Sequence, residues 1–101
     1  MNVSVFGLGY VGCVTAGCLA ARGHRVIGVD VSPDKVAMVN AGTSPIIEPG
    51  LGDLLTQVVG AGTLSATTSA PQAIASTDLA LICVGTPHSR RGPPNLDSLT
   101  R

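Results

Sequence analysis

The spacing of apolar positions along the chain changes repeatedly between two patterns, one typical of strands and one typical of helices. Short runs of valine and other apolar residues favour buried strands, whereas apolar or small residues three or four positions apart favour helices. The runs predict strands at 2–6, 25–30, 64–67 and 79–84, and the spacing predicts helices at 10–22, 33–41, 51–62 and 71–75. Strands that alternate with helices imply parallel βαβ units joined by right-handed crossovers.

The first and third predicted helices differ in their apolar periodicity. In the first, apolar or small residues recur at Val11, Val14, Cys18 and Ala21. In the third, larger apolar residues occupy one side, at Leu51, Leu54, Leu55 and Val58. The third helix is therefore expected to be amphipathic.

Helix-capping residues and prolines mark the boundaries around the second helix. Ser32 is a suitable N-cap, Pro33 fits the first helical position, and Gly42 follows the predicted end. Two prolines in TSPIIEPG predict a loop before the third helix. The tail HSRRGPPNLDSLTR is polar and rich in turn residues, so we expect it to lie outside the core.

Composition and charge narrow the classes of function. The chain has 101 residues, which is enough for one domain or part of one. Six basic and six acidic residues give a formal net charge of zero, which argues against nucleic acid or an anionic membrane as partner. No basic segment precedes the first strand, and Arg22 and His24 interrupt the longest apolar stretch. We therefore expect a cytoplasmic protein that does not bind a membrane.

The cysteines and histidines predict neither a metal site nor a disulfide. Cys13, Cys18 and Cys83 lie within apolar patterns, and their spacing fits neither a zinc site nor a disulfide framework. We interpret all three as small buried hydrophobic residues. His24 and His88 have no metal-ligand or nucleophile partner at a useful spacing.

The stretch FGLGYVG carries the strongest functional signal, because Gly7, Gly9 and Gly12 follow a predicted strand and open a predicted helix. A second strand then ends on Asp30, within about thirty residues, which is the context of a dinucleotide-binding unit. In such a unit Gly7 permits the tight turn, Gly9 lets a pyrophosphate approach the backbone, and Gly12 allows close packing of helix on strand. The alternative is a tight turn that binds no ligand.

The residues around this turn predict which groups of a dinucleotide are held. Backbone amides of Tyr10 and Val11, at the helix N-terminus, are natural donors to phosphate. Asp30 is placed to accept hydrogen bonds from ribose hydroxyls. Its carboxylate would repel a 2′-phosphate, and Val31 to Pro33 supply no arginine to hold one. The sequence therefore favours NAD over NADP.

Weaker candidates each have a plain alternative. Lys35 could reach the ribose or a phosphate, or could be a solvated lysine on a helix. Thr86, in CVGTP, follows the late strand and could touch the cofactor, or could only cap the turn before a proline. Glu48 is more typical of a turn or pre-helix residue than of a catalytic acid. Arg90 and Arg91 could meet a phosphate, although they are more typical of a solvated loop.

Four motifs, VFGLGYVG, GHRVIGVD, SPIIEPGL and ICVGTP, together resemble the amino-terminal part of the UDP-glucose/GDP-mannose dehydrogenase family. The resemblance covers essentially the whole chain, and AGCLAARGH followed by ICVGTP is most similar to the GDP-mannose branch. It implies an α/β fold with a Rossmann-type, doubly wound parallel sheet, and NAD as cofactor. The family's cofactor contacts would fall on Tyr10, Val11, Asp30, Lys35 and Thr86.

The resemblance also implies a function for the whole family protein. Such enzymes are homodimers that oxidise the C6 hydroxyl of a nucleotide sugar to a carboxylate, using two NAD and a thiol-bound intermediate. The products feed polysaccharides such as alginate. Choosing between GDP-mannose and UDP-glucose needs the sugar pocket, which in the family lies further along the chain.

The family's catalytic cysteine and lysine also lie beyond the matched part. We therefore expect residues 1–101 to be a truncated NAD-binding Rossmann segment without dehydrogenase turnover, and Leu79–Val84 to be an unpaired apolar edge strand. Cys83 is not expected to replace the nucleophile, because no adjacent basic group favours its thiolate. Two alternatives are a non-catalytic nucleotide-binding module and an inert remnant; a flavin-binding variant has no specific support.

Overall fold

A computed structural model describes residues 1–83, which form one parallel sheet with four helices packed against it. The elements are β1 Asn2–Phe6, α1 Tyr10–Ala21, β2 Arg25–Val29, α2 Pro33–Asn40, α3 Leu51–Gly60, β3 Leu64–Thr67, α4 Ala70–Ser76 and β4 Leu79–Ile82. Every element expected in this range is present, and the observed ends differ from the expected ones by at most two residues. Val84, which was expected to end the last strand, lies outside the described residues.

The strands are all parallel and lie in the order β3-β2-β1-β4. In register, Val3 of β1 lies beside Val26 of β2 and Leu79 of β4. The connections from β1 through β2 to β3 proceed in one direction, and the connection from β3 to β4 returns across the sheet. The strand order therefore reverses between β1 and β4, as it does where the two halves of a Rossmann-type fold meet, and the predicted fold class is confirmed.

The two faces of the sheet have different coverings. Val3 and Val5 point toward the main core, where they pack with buried residues of α1 and α3. Ser4, between them, points to the other face. There its hydroxyl accepts a hydrogen bond of 3.1 Å from the hydroxyl of Thr77, directly after α4. Helices on both faces are what a right-handed return crossover requires.

The buried face of α1 consists of small residues, at Gly12, Cys13, Ala16, Gly17 and Ala20. A Cβ on Gly17 would lie 2.7 Å from a methyl carbon of Leu54, so the glycine allows α3 to approach closely. The expectation that all three cysteines are buried is wrong for Cys18, which is exposed, and Cys83 is only half-buried. The residues of α1 are apolar or small on every side of the helix, so their spacing alone did not identify the buried side.

The two outer strands of the described sheet differ at their free edges. At β3, the side-chain amide of Asn40 pairs with the backbone of Ala66, donating to its carbonyl at 2.9 Å and accepting from its N–H at 2.8 Å. At β4, Leu79 and Ile82 are 46% and 66% exposed. Within residues 1–83, β4 therefore presents the apolar edge expected from the sequence.

Candidate functional site

The turn between β1 and α1 lies at the carboxyl edge of the sheet, beside the point where the strand order reverses. Gly7 adopts φ 97°, which side chains rarely tolerate, and its N–H donates to the carbonyl of Val29 at 2.8 Å. A Cβ on Gly12 would lie 1.6 Å from the carbonyl oxygen of Gly7. Both glycines are therefore needed to bring the helix start this close to the strand end.

Gly9 plays a different part, because a Cβ there would meet no heavy atom of the described residues within 4 Å. It is the N-cap of α1 with φ −81° and no side chain to cap the helix. The first intrahelical bond runs from Cys13 to the carbonyl of Gly9 at 2.9 Å. The amides of residues 10–12 consequently have no partner within the helix, and open space lies above Gly9, which suits an anionic group.

Asp30 lies directly after β2 and reaches across to the glycine turn. One carboxylate oxygen accepts from the Leu8 N–H at 2.8 Å, and the other accepts from the Ser32 N–H at 2.9 Å. Burial, the largest single contribution, acts to raise the pKa of the carboxyl, but the backbone hydrogen bonds and the Lys35 charge outweigh it and lower the pKa. Asp30 is therefore ionised, and each of its oxygens has a further lone pair for a ligand hydroxyl.

Lys35 lies in the first turn of α2 and is half-buried. Its amide donates to the hydroxyl of the N-cap Ser32 at 3.3 Å, and its side-chain charge acts on Asp30. Tyr10 and Val11 are 52% and 60% exposed at the start of α1. The structure thus brings together, at one edge, every predicted cofactor contact except Thr86, which lies outside the described residues.

The sequence did not place Leu8 or Cys13 in this site, although the expected burial of Cys13 is confirmed. Leu8 is fully buried, and its amide is the donor that joins the turn to Asp30. Cys13 is buried beneath the turn, and its Sγ donates to the Leu8 carbonyl at 3.5 Å. Burial raises the pKa of this thiol to about 11; the Lys35 charge lowers it less, and Asp30 raises it further. Only the position of Leu8 between two motif glycines offered a sequence signal.

Within residues 1–83, Glu48 is a weaker candidate that lies away from the glycine turn and Asp30 along the chain. Glu48 is exposed in the loop before α3, where its carbonyl accepts the N–H of Leu51 at 3.1 Å, as expected of a pre-helix residue. His88, Arg90 and Arg91 lie outside the described residues. Among residues 1–83 no cluster of three potential metal ligands occurs.

A second concavity, of about 610 Å³, opens at the opposite, amino edge of the sheet. Its lining includes Asn2, Arg25, Thr63 and Thr77, which precede or begin the strands. The glycine turn and Asp30 lie at the other end of these strands, so the concavity is separate from the predicted site. In the part of the chain that the structure describes, no helix is both long enough and apolar enough to cross a membrane.

Taken together, the parallel sheet, the three-glycine turn and the aspartate after β2 define a Rossmann-type dinucleotide-binding domain. Comparison with known proteins identifies the family. The model of the UDP-glucose/GDP-mannose dehydrogenase family, NAD binding domain, matches residues 1–101. The chain belongs to this family, and the cofactor of the domain is NAD.

Individual relatives agree with this assignment. The chain is 54% identical to GDP-mannose 6-dehydrogenase of Azotobacter vinelandii over 96% of its length, which is 22% of that protein. It is 40% identical to a UDP-glucose 6-dehydrogenase of Bacillus subtilis over 99% of its length, or 23% of that protein. The chain therefore spans less than a quarter of the length of these curated relatives.

A solved structure shows the same fold. The ternary complex of GDP-mannose dehydrogenase from Pseudomonas aeruginosa matches 86% of this chain with a TM-score of 0.84 and 59% identity. The match covers 20% of that protein's chain. The Rossmann-type arrangement of the described residues is therefore shared with a nucleotide-sugar dehydrogenase.

Proposed function

We propose that this chain is the NAD-binding segment of a nucleotide-sugar 6-dehydrogenase and that it holds the adenosine and pyrophosphate part of NAD at the glycine turn. The amides of Tyr10 and Val11 would donate to the pyrophosphate, and Asp30 would accept from the ribose hydroxyls. The observation that carries the proposal is the 2.8 Å hydrogen bond from Leu8 to Asp30, which joins the turn and the carboxylate into one surface.

Three contributions of this chain's residues to binding follow from their chemistry. The uncapped start of α1 offers N–H groups and a positive dipole end to phosphate oxygens. Gly9 keeps the space above the turn free of side chain. Lys35 adds a positive charge near Asp30, where a ribose or phosphate would lie. Thr86 remains a predicted contact from the sequence motif after β4.

The same residues support NAD as opposed to NADP. A second negative charge on the ribose would lie against the ionised Asp30. Val31, the next residue, is 94% exposed but apolar. Lys35 is the one cation in this stretch, and its charge already acts on Asp30. We infer that a 2′-phosphate is disfavoured.

In the proposed reaction NAD supplies the hydride acceptor that oxidises the C6 hydroxyl of the nucleotide sugar. This chain's residues would bind and orient the dinucleotide. The identity of 54% to GDP-mannose 6-dehydrogenase, against 40% to UDP-glucose 6-dehydrogenase, favours GDP-mannose as the sugar nucleotide and a uronic acid for polysaccharide synthesis as the product. We assign substrate binding and catalysis to the parts of these relatives that lie outside the match with this chain.

The decisive experiment compares two glycine substitutions by isothermal titration calorimetry with NAD and NADP. Gly9→Ala and Gly60→Ala both place a methyl group where no described atom lies within 4 Å. We expect Gly60→Ala to bind NAD like the unchanged chain. Gly9→Ala should fold equally well but lose at least about tenfold in NAD affinity, because its methyl occupies the space of the pyrophosphate.

Two outcomes would contradict the proposal. The first is a folded, unchanged chain that gives no heat with NAD, which would indicate an inert remnant. The second is tight NADP binding. A parallel absorbance assay with GDP-mannose and NAD should show no NADH from the 101-residue chain. Production of NADH would contradict the assignment of catalysis to the parts of the relatives outside the match.

A further inference from the structure

Both oxygens of the Asp30 carboxylate accept hydrogen bonds from backbone N–H groups. Its bond to Leu8, at 2.8 Å, crosses from β2 to the middle of the glycine turn, and its bond to Ser32, at 2.9 Å, fixes the start of α2. Hydrogen bonds to an ionised acceptor are about twice as strong as neutral ones. Asp30 therefore holds the two neighbouring turns together as well as facing the ribose position.

The glycine turn depends on several restraints from residues outside the turn. Glycine loses more backbone freedom on folding than any other residue, so a turn with glycines at 7 and 9 needs external contacts to stay in one conformation. Leu8 supplies two of them: its buried side chain packs against Gly28, and its amide is held by Asp30. Without these contacts the Leu8 amide would vary in position, and the adjacent N–H groups at the start of α1 would not keep one orientation.

We infer that Asp30 is a positioning residue for the phosphate turn, acting through the Leu8 amide, in addition to its proposed contact with ribose. The inference rests on the proposed function for the identity of the ligand. The contact itself is a property of the ligand-free chain. Removing the carboxylate should therefore weaken the binding of a phosphate ligand even when that ligand has no ribose hydroxyls.

Two diphosphate probes separate the two roles of Asp30. Adenosine diphosphate carries both ribose hydroxyls, whereas 2′,3′-dideoxyadenosine diphosphate carries neither. In Asp30→Asn, the side-chain amide can accept from only one of the two N–H donors and turns its own N–H groups toward the other. We expect the affinity for the dideoxy probe to fall about tenfold, as for a lost hydrogen bond to a charged group. An unchanged affinity for the dideoxy probe, with weaker binding of adenosine diphosphate alone, would overturn the inference.

Amide NMR of the ligand-free chain tests the contact independently of any cofactor. The groups that face the Asp30 carboxylate are the Lys35 ammonium of α2 and the Cys13 thiol of α1. Because Leu8 and Ser32 donate to the two oxygens of this carboxylate, their amide resonances should shift together as Asp30 takes up a proton at acid pH. In Asp30→Asn this shift should vanish, and the amides of Gly9 and Tyr10 should exchange with solvent faster.

The outcomes distinguish this inference from the proposed function. If neither diphosphate binds the unchanged chain, the proposed function fails, and the amide measurements still decide whether Asp30 fixes the turn. If Asp30→Asn does not fold, the pH titration of the Leu8 amide in the unchanged chain decides, and an amide that does not titrate would overturn the inference. Asp78→Asn is the matched control, because Asp78 also accepts a backbone N–H, from Asn2 at 3.4 Å, at the opposite edge of the sheet.

Discussion

Two strand-to-helix turns lie side by side at the carboxyl edge of the sheet, and they differ in whether a side chain caps the helix that follows. The turn from β2 to α2 caps its own helix, because the Ser32 hydroxyl accepts from the Lys35 amide and Pro33 removes another donor. The turn from β1 to α1 has Gly9 at the same position and no side-chain cap. The capped turn satisfies the Lys35 amide with its own serine, whereas the glycine turn has no side chain to satisfy the first amides of α1 and leaves them available to a ligand.

One edge of the sheet thus contains a turn that stabilises the fold and a turn whose amides are open to a ligand. The capped turn contributes to folding through local hydrogen bonds. The glycine turn gives up that contribution and depends on Asp30, from the neighbouring strand end, to hold its Leu8 amide. A dinucleotide site at this edge therefore combines both turns, and substitutions in each turn should affect stability and binding differently.

The largest effect is expected for Gly12→Ala in the uncapped turn. The added Cβ would lie 1.6 Å from the Gly7 carbonyl oxygen, which is backbone and cannot move aside cheaply. We expect a loss of at least about 3 kcal/mol in the free energy of unfolding, measured by urea denaturation followed by circular dichroism. Gly60→Ala, in open space, is the control, and a loss for Gly12→Ala as small as for the control would refute the packing role of Gly12.

An intermediate effect is expected for Ser32→Ala in the capped turn. Loss of the hydroxyl that accepts from the Lys35 amide should lower the free energy of unfolding by about 1 kcal/mol, again measured by urea denaturation. Calorimetry under conditions where the variant stays folded should give nearly unchanged NAD affinity, because this cap serves the fold. A large loss of affinity with unchanged stability would reverse the roles assigned to the two turns.

The smallest effect concerns pH and the link between the turns. The pKa of Asp30 in the folded chain lies below its ordinary value of 3.8, so folding favours the ionised carboxylate. Its contribution to stability is therefore fully present above that ordinary value and is lost as pH falls through the lower folded value. Urea denaturation between neutral and acid pH should show this decline in the unchanged chain and a shallower one in Asp30→Asn. Parallel curves for the two chains would contradict it.

The sequence predicted most of the fold because its signals are local. Valine-rich runs, the Ser32 cap and Gly42 after the second helix indicate where elements begin and end, and these expectations are confirmed in the described residues. The burial of Cys18 was wrong because α1 is apolar or small all round, and only packing against the sheet and α3 decides that Gly17 faces inward while Cys18 is exposed. The buried side of a helix is decided by its neighbours and not by its own spacing.

For the site, the sequence by itself determined the residue types: glycines at 7, 9 and 12, a carboxylate at 30 and a lysine at 35. These follow from local backbone geometry and from the chemistry of phosphate and ribose. Only the tertiary structure decided that Leu8 and Asp30, twenty-two residues apart, share a hydrogen bond, and that the Cys13 thiol contacts the Leu8 carbonyl. The parallel pairing of β1 with β2 brings the two strand ends to one edge, and no local pattern encodes that proximity.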